Sequence, residues 1–330
     1  MTFSRRTFLK TAAVASTSVL MPHAFAKELT PVKLVLSWFA QAEVGGFYQA
    51  VAKGFYADQG LDVQIDMGGP QVNTMQLLTA GRADFVTGYD FQTLRGVQGG
   101  MPLLTVMSSF QHDLQGLMTH ESVTDLAQLK GHPILISSPA HASYWGWLCK
   151  KYGYSPSQAQ PYTFNLQPFF LNPDAAVQAY ASSEPFEARQ HNVPTRFFPF
   201  ADIGYPPYGT PVLTTHAFAE KNDATVAAFV KASLLGWKDY LLDPAAGNVL
   251  IRKANPRMSD AQLQFGHETL AKMKVLGEGD AATGGIGTMT EARWHATYDF
   301  MVANGLLDQA TDWKSVFTNH YVEQAKVMPV

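Results

Sequence analysis

The sequence predicts an α/β fold whose sheets are largely parallel. Short apolar or alternating runs, typical of strands, are followed by longer runs with helical spacing, and this order repeats through residues 30–107. The same order restarts after about Thr119, and 330 residues are enough for two such units. Alternating strands and helices are typical of parallel sheets, whose ligands bind beyond the carboxyl ends of the strands.

The first unit contains four predicted strands. They are Val32–Leu36, the alternating segment Leu61–Ile65, Asp84–Thr87 and Leu103–Met107. The predicted helices between them carry apolar residues at helical spacing and end at Gly60, Gly81 and about Gln98. These elements predict one sheet with helices packed against it.

The second unit has fewer predicted elements. They are a short helix capped by Thr124, a strand over Pro133–Ser137 and a helix over Ala142–Tyr152. Residues 155–211 are rich in proline, aromatic and acidic residues and show few periodic segments. The pattern therefore predicts few long helices or strands in that region.

From Thr214 onward the chain is predicted to be mostly helical. Asn222 is predicted to cap a long amphipathic helix that stops at Asp243-Pro244. Two further helices are predicted near Ser259–Leu276 and Met289–Asn304. No internal repeat or low-complexity tract interrupts this pattern.

The first 26 residues have the features of an export signal. Arg5-Arg6-Thr7-Phe8-Leu9-Lys10 opens a basic region, an uncharged run follows, and Ala24-Phe25-Ala26 is a small-x-small cleavage site. Paired arginines followed by Phe-Leu-Lys resemble the twin-arginine signal. The uncharged run is shorter than the ~20 residues that span a bilayer. We therefore expect a mature chain in the bacterial periplasm, without a membrane span.

The composition excludes several classes of protein. A hydrophobic content of 46% excludes disorder, 26 glycines and 19 prolines exclude a coiled coil, and a single cysteine, Cys149, excludes a disulfide framework. Without the three basic residues of the signal, 27 acidic residues face 21 basic ones, and the net charge moves from −3 to −6. No cluster of Lys and Arg follows the signal, so nucleic acid is not expected as a partner.

No motif indicates an enzyme, a cofactor or a metal site. Gly277-Glu-Gly279-Asp-Ala-Ala282 matches the dinucleotide-binding glycine pattern, but it follows a predicted helix rather than a strand. The ten histidines include no pair spaced i, i+4, so a zinc site on a helix is not supported. We expect no catalytic residue, cofactor or metal. The alternative is a periplasmic hydrolase or lyase that uses Asp90, His112 or His141 as acid or base.

Aromatic and acidic residues are concentrated in loops at the ends of predicted strands. Since the carboxyl ends of parallel strands share one edge of a sheet, the loops of the first unit should converge on one crevice, with those of the second unit facing them. The candidate ligand-binding residues are Trp38, Phe39, Glu43, Tyr89, Asp90, Gln111, Ser138, His141, Tyr144, Glu184, Tyr205 and Tyr208.

Several motifs support a resemblance to a known family. They are Leu36-Ser-Trp38, Gly46-Phe-Tyr48, Gly54-Phe-Tyr56, Gly60-Leu-Asp-Val63, Ala80-Gly81-Arg-Ala-Asp84, Tyr180-Ala-Ser-Ser-Glu184-Pro185, Asp202-x-Gly-Tyr205 and Gly287-Thr-Met289-Thr-x-x-Arg293-Trp294. Over nearly the whole chain beyond the signal, these motifs resemble substrate-binding proteins of nitrate, sulfonate and taurine-type ABC importers. That group also contains proteins that bind the pyrimidine precursor of thiamine.

The resemblance implies a type II periplasmic binding protein, with two α/β lobes, two crossover strands and a ligand cleft between the lobes. With the predicted export signal over 1–26 set apart, the resemblance implies lobe one over 27–118 plus 213–330 and lobe two over 119–212. The implied partners are a small-molecule ligand and an inner-membrane permease with its cytoplasmic ATPase, and the mature chain is expected to be a monomer. A related suicidal enzyme builds the pyrimidine from its own histidine. This chain has Gly88 and Gln92 where that enzyme has its lysine and histidine, so we do not expect that chemistry.

The charge of the candidate loops favours a nitrogen-rich ligand. Pockets for nitrate, sulfonate or phosphate usually offer Arg or Lys, whereas these loops contain Glu43, Asp90, Asp113 and Glu184 and only flanking arginines. Carboxylates accept hydrogen bonds from N–H groups, and aromatic faces stack on flat rings. We expect a planar nitrogen-containing ligand such as an aminopyrimidine precursor of thiamine. A sulfonate, nitrate or aromatic carboxylate in the same cleft, and a role as a sensor for a receptor, remain alternatives.

Overall fold

The computed structural model describes residues 28–329, so the predicted export signal lies outside the described residues. The strands are β1 (Thr30–Val35), β2 (Leu61–Asp66), β3 (Phe85–Thr87), β4 (Leu103–Phe110), β5 (Gln115–His120), β6 (Ile134–Ile136), β7 (Ala159–Pro161), β8 (Ala176–Tyr180), β9 (Thr195–Pro199) and β10 (Gly209–Thr215).

The helices between and after these strands are mostly short. They are α1 (Gly45–Ala52), α2 (Phe55–Asp58), α3 (Thr74–Thr79), α4 (Asp90–Gln98), α5 (Ser138–His141), α6 (Trp145–Tyr152), α7 (Gln167–Leu171), α8 (Glu184–Gln190), α9 (His216–Lys221), α10 (Asp223–Leu242), α11 (Ala245–Ala254), α12 (Asp260–Lys272), α13 (Ala281–Gly284), α14 (Glu291–Ala303) and α15 (His320–Ala325). Short 3-10 helices cover Ala42–Val44, Leu126–Leu129, Pro156–Gln158, Ala201–Ile203 and Trp313–Val316.

The strands form two five-stranded sheets, in the orders β2-β1-β3-β10-β4 and β7-β6-β8-β5-β9. In the first sheet β1 pairs in parallel with β2 and β3, and β10 pairs antiparallel with β3 and β4. In the second sheet β6 pairs in parallel with β7 and β8, and β5 pairs antiparallel with β8 and β9. Each sheet is therefore mostly parallel with one reversed strand, and the predicted α/β class with two units is confirmed.

The chain crosses between the two sheets twice. It leaves the first sheet after β4 to form β5, and it returns from β9 to form β10. The predicted lobe boundary after residue 118 falls within β5, and the one after residue 212 falls within β10. The two reversed strands thus follow the two crossovers, which join the lobes.

The last third of the chain packs back on the first sheet. Helix α10 lies against β4 and against α1, and α15 also contacts β4. The approach of α1 to α10 is close because α1 begins with two glycines. A Cβ atom on Gly45 would lie 2.2 Å from the ring of Tyr240, and one on Gly46 would lie 2.2 Å from the ring of Trp237. This packing holds the loop before α1 in a fixed position.

The structure corrects several predicted elements. The helix predicted from residue 45 to Gly60 is two helices, because Gly54 adopts a left-handed conformation with φ of 76°. Strand β4 continues through Ser108, Ser109 and Phe110, beyond its predicted end at Met107, since its pairing with β10 extends to Phe110. Asn222 precedes α10, but its side chain donates to the Phe218 carbonyl at the end of α9 instead of capping α10.

Other elements were missed at the sequence level. Strands β7, β8 and β9 lie in the region 155–211, where the sequence shows few periodic segments, and α11 lies between two predicted helices. Strand β7 is three residues long and β9 is only half-buried, so neither carries a strong periodic signal.

Candidate functional site

A small cavity lies between the two sheets, and we call it the inner cavity. Its volume is about 40 Å³, and residues of both lobes line it. Four of the predicted site residues are among them, namely Trp38, Glu43, Tyr89 and Glu184. Trp38 follows β1 and Tyr89 follows β3, whereas Glu184 begins α8 after β8. The carboxyl ends of these parallel strands therefore open on one space, as expected for such sheets.

Trp38 forms an aromatic wall of the inner cavity. Its ring contacts Phe39 edge to face at 5.7 Å, Phe164 edge to face at 6.1 Å and Tyr162 in a stacked arrangement at 6.4 Å between centroids. The preceding residue is held in place because the Ser37 N–H donates to Thr87 Oγ1 at 2.7 Å. These contacts fix the orientation of a large apolar surface that faces the cavity.

Glu43 is a buried acid contributed by lobe one. It lies in the 3-10 helix before α1, and only 6% of its surface is exposed. Ser182 of lobe two donates its hydroxyl to Glu43 Oε2 at 3.2 Å. The pKa of Glu43 is raised to about 8, mainly by burial and in part by the nearby Glu184, while hydrogen bonds act in the opposite direction.

Glu184 is the corresponding acid of lobe two. Its Oε1 accepts a hydrogen bond from the Tyr162 hydroxyl at 2.8 Å, and its Oε2 accepts one from the Tyr180 N–H at 2.8 Å. Burial raises its pKa to about 7, while both hydrogen bonds act in the opposite direction. The side chain is thus held rigidly, with its charge destabilised by burial.

The inner cavity has two acids and no base in its lining. A buried carboxylate is costly unless a hydrogen-bond donor or a cation compensates it. Among the described residues that line this cavity, no Lys, Arg or His fills that role. Chemically, the arrangement accepts hydrogen bonds from a neutral or cationic group and stacks it against aromatic rings.

Sequence reasoning missed several residues of the inner cavity. The polar ones are Ser37, Gln115, Gln178, Tyr180 and Thr210. Gln178 and Tyr180 are spaced two residues apart on β8, so they share one face of that strand. That spacing was the available signal, but it could be used only if β8 had been recognised as a strand.

Three predicted site residues lie next to the inner cavity without lining it. Phe39 lies behind Trp38 and packs on Phe164 at 5.0 Å. Tyr144 donates its hydroxyl to Gln178 Oε1 at 3.0 Å and thereby orients a cavity residue. Ser138 lines a neighbouring pocket that shares Ser37 and Tyr89 with the inner cavity.

Three further predicted residues, Asp90, Gln111 and Tyr208, meet at the crossovers. Together with Pro206 and Arg293 they form a set that we call the crossover clasp. Asp90 Oδ2 accepts the Tyr208 N–H at 2.7 Å. Arg293 donates through Nε to the Pro206 carbonyl at 2.7 Å and through Nη2 to the Gln111 carbonyl at 2.9 Å. Its guanidinium also lies 5.0 Å from the centre of the Tyr208 ring. One arginine therefore joins both crossovers to α14.

The remaining two predicted site residues lie elsewhere. Tyr205 is buried in an aromatic cluster, with its ring 4.9 Å from Phe91 and 5.3 Å from Trp147. His141 is exposed at the end of α5 and is not among the residues that line the inner cavity. The structure therefore does not bring His141 and Asp90 together with the cavity acids.

The two lobes are in direct contact around the inner cavity. Ser183 donates its hydroxyl to Gln41 Oε1 at 2.7 Å, next to the contact between Ser182 and Glu43. On the same side Arg257 donates to the Phe164 carbonyl at 2.9 Å. These bonds connect residues far apart in sequence, so they depend on the relative position of the lobes.

Residues 28–329 contain neither a cluster of metal ligands nor a helix that could span a membrane. No three His, Cys, Asp or Glu side chains of this part of the chain come together in a way that could hold a metal ion. No helix within the same residues is long and apolar enough to cross a membrane.

Known proteins of similar sequence have names that refer to small ligands. The chain is 26% identical over 325 residues to riboflavin-binding protein RibY of Chloroflexus aurantiacus, covering 94% of this chain and 91% of that protein. It is 23% identical over 303 residues to the formylaminopyrimidine-binding protein of Halalkalibacterium halodurans, covering 88% and 90%.

Solved structures support the fold. The alkanesulfonate-binding protein SsuA of Xanthomonas axonopodis pv. citri superposes with a TM-score of 0.61 at 17% identity, covering 88% of this chain and 99% of that one. The expected periplasmic binding protein fold is thereby confirmed. The family described as NMT1/THI5 like matches residues 41–246, which include both crossovers and most of the residues that line the inner cavity. The chain therefore belongs to the NMT1/THI5-like family.

Proposed function

We propose that this protein is the solute-binding component of an ABC importer and captures a small planar nitrogen heterocycle between its two lobes. The leading example is an aminopyrimidine precursor of thiamine. The observation that carries the proposal is the pairing of Glu43 and Glu184, from opposite lobes, beside Trp38 in a cavity whose described lining contains no base. The carboxyl oxygens of both acids can accept hydrogen bonds from the N–H groups of such a ring while the ring stacks on the indole.

The names of the relatives agree with this ligand chemistry. Riboflavin and formylaminopyrimidine, from which two relatives take their names, are both flat and rich in nitrogen. The family match and the motifs shared with importer-binding proteins support transport as the role. The export signal in the sequence supports a periplasmic location reached by the twin-arginine route.

The proposed mechanism is closure of the lobes around the ligand. At about 40 Å³ the inner cavity is much smaller than the roughly 300–1,000 Å³ of small-molecule sites, so a ligand needs the lobes to separate first. The bonds Ser182–Glu43 and Ser183–Gln41 join the lobes across the cleft, so they open to admit the ligand. Closure around the bound ligand then excludes water. The closed form docks on the permease, which the ATPase drives from the cytoplasm.

Isothermal titration of the purified mature protein tests the ligand class. An aminopyrimidine and riboflavin are compared with taurine and nitrate at pH 7. We expect binding of at least one heterocycle and none of the two oxyanions. Tight binding of taurine or nitrate with no binding of a heterocycle would refute the proposal. Conversion of a bound heterocycle to a product would favour an enzyme instead.

A further inference from the structure

A second, larger pocket adjoins the inner cavity, and we call it the outer pocket. Its volume is about 390 Å³, and it shares Ser37 and Tyr89 with the inner cavity. Its lining comes mainly from lobe one, with Ser138, Pro139 and Ala142 contributed by lobe two. The two spaces therefore meet at Ser37 and Tyr89, within the same cleft between the lobes.

The charge of the outer pocket is opposite to that of the inner cavity. Its polar lining includes Ser37, Gln71, Asn73, Gln92, Arg95 and Ser138, and no Asp or Glu is among its described lining residues. Arg95 lies on the exposed side of α4 and makes no ion pair with any residue in the described part of the chain. Glu43 and Glu184, by contrast, line the inner cavity without a base.

The volumes of the two spaces also indicate that the outer pocket holds part of the ligand. A small-molecule site usually has a volume of roughly 300–1,000 Å³, and only the outer pocket falls in this range. Among the described residues that line the outer pocket, Arg95 is the one with a charged donor, and its guanidinium makes the strongest hydrogen bonds to an anion. A ligand that spans both spaces would meet carboxylates at one end and a guanidinium at the other.

We propose that the outer pocket binds an anionic substituent of the ligand and that Arg95 selects it. This rests on the proposed function, because the ring of the same ligand occupies the inner cavity. The ligand class is thereby narrowed to a nitrogen heterocycle that carries a phosphate or carboxylate group on a short arm. Arg95 pairs with either anion, and a guanidinium does so in bidentate geometry.

Matched pairs of ligands test this by isothermal titration. The probes are an aminopyrimidine alcohol, its phosphate ester and an aminopyrimidine with a carboxylate arm, together with riboflavin and its 5′-phosphate. We expect an anionic member to bind at least 10-fold tighter than its neutral partner, and the two aminopyrimidine anions distinguish phosphate from carboxylate. In Arg95→Gln the preference should fall below 3-fold. The control Arg82→Gln, which changes an exposed arginine outside both pockets, should retain it.

The outcomes separate the two proposals. Equal binding of neutral and anionic partners, or an unchanged preference in Arg95→Gln, overturns the role of Arg95 and leaves the binding of the ring intact. Failure of every heterocycle to bind, neutral or anionic, overturns both proposals. Circular dichroism of the two variants establishes that each is folded before its affinity is interpreted.

Discussion

The inner cavity and the crossover clasp both contain buried acids, but they differ in what surrounds those acids. Burial raises the pKa of Glu43 and of Asp90 to about 8 in each case. In the clasp the nearby Arg293 lowers the pKa of Asp90, and Tyr208 donates its N–H to the same carboxylate. The lining of the inner cavity has no base. Asp90, with Arg293 nearby, thus takes part in a contact within the fold, whereas we propose that Glu43 and Glu184, in a lining without a base, face a ligand.

The largest expected effect is on the stability of the clasp. Arg293→Gln removes the charged donor shared by the Pro206 and Gln111 carbonyls and takes the cation away from Asp90. We expect the free energy of unfolding to fall by about 2–4 kcal/mol, because charged hydrogen bonds to partly buried groups are lost. Chemical denaturation measures this. A fall in the free energy of unfolding of less than about 1 kcal/mol would contradict a stabilising role for the crossover clasp.

Trp38→Ala should weaken ligand binding more than it lowers the stability of the fold. Loss of the indole face should weaken binding of the heterocycle about 10- to 100-fold, as truncation of a central aromatic contact does. Isothermal titration measures the affinity, and a thermal melt checks the fold. The matched control is Trp313→Ala, which removes an indole from the 3-10 helix Trp313–Val316. Trp313 lines neither the inner cavity nor the outer pocket. Equal affinity losses in the two variants would argue against a role for Trp38 in the site.

The acidity of the inner cavity makes stability depend on pH. The pKa of Glu43 is about 8 in the folded chain and roughly 4.3 in an unfolded one, so the folded state binds more protons between these values. Stability should therefore fall as the pH rises from about 5 to 8. Glu43→Gln removes this penalty and should be more stable than the unchanged protein by about 1–2 kcal/mol at pH 8, with a smaller difference at pH 5.

Denaturation at the two pH values, without added ligand, measures that difference. The control Glu220→Gln changes an exposed glutamate and should show the same small effect at both pH values. A gain in Glu43→Gln that does not grow with pH would show that the carboxyl is not held in its proton-bound form by burial.

The smallest expected effect is at the contact between the lobes. Ser183→Ala removes the buried hydrogen bond to Gln41, which depends on the lobes being together. A neutral hydrogen bond contributes about 0.5–1.5 kcal/mol, so affinity should fall roughly 2- to 10-fold while stability changes little. Titration and small-angle scattering with and without ligand measure affinity and compaction. A loss of stability without a loss of affinity would show that the bond holds the lobes together without contributing to ligand binding.

The candidate residues separate into those that sequence reasoning could place and those it could not. Trp38 and Tyr89 directly follow short apolar strands, so parallel-strand topology was enough to bring them to one edge. Asp90 and Tyr208 are likewise acidic or aromatic residues in predicted loops next to strands, yet they meet at the crossovers instead of lining the inner cavity. Residue type and loop position are alike in the two cases, and Tyr89 and Asp90 are adjacent in the chain, so only the three-dimensional packing distinguishes them.

The sequence by itself determined the strand–helix order, the two units and the acidic, aromatic character of the cleft, because these depend on local periodicity and composition. The tertiary structure decided which acids have a base beside them. Gln178 enters the inner cavity through β8, a strand in a region without strong periodicity, and Arg293 reaches the crossovers from α14, far along the chain. Such neighbours are set by long-range packing, and no short stretch of sequence encodes them.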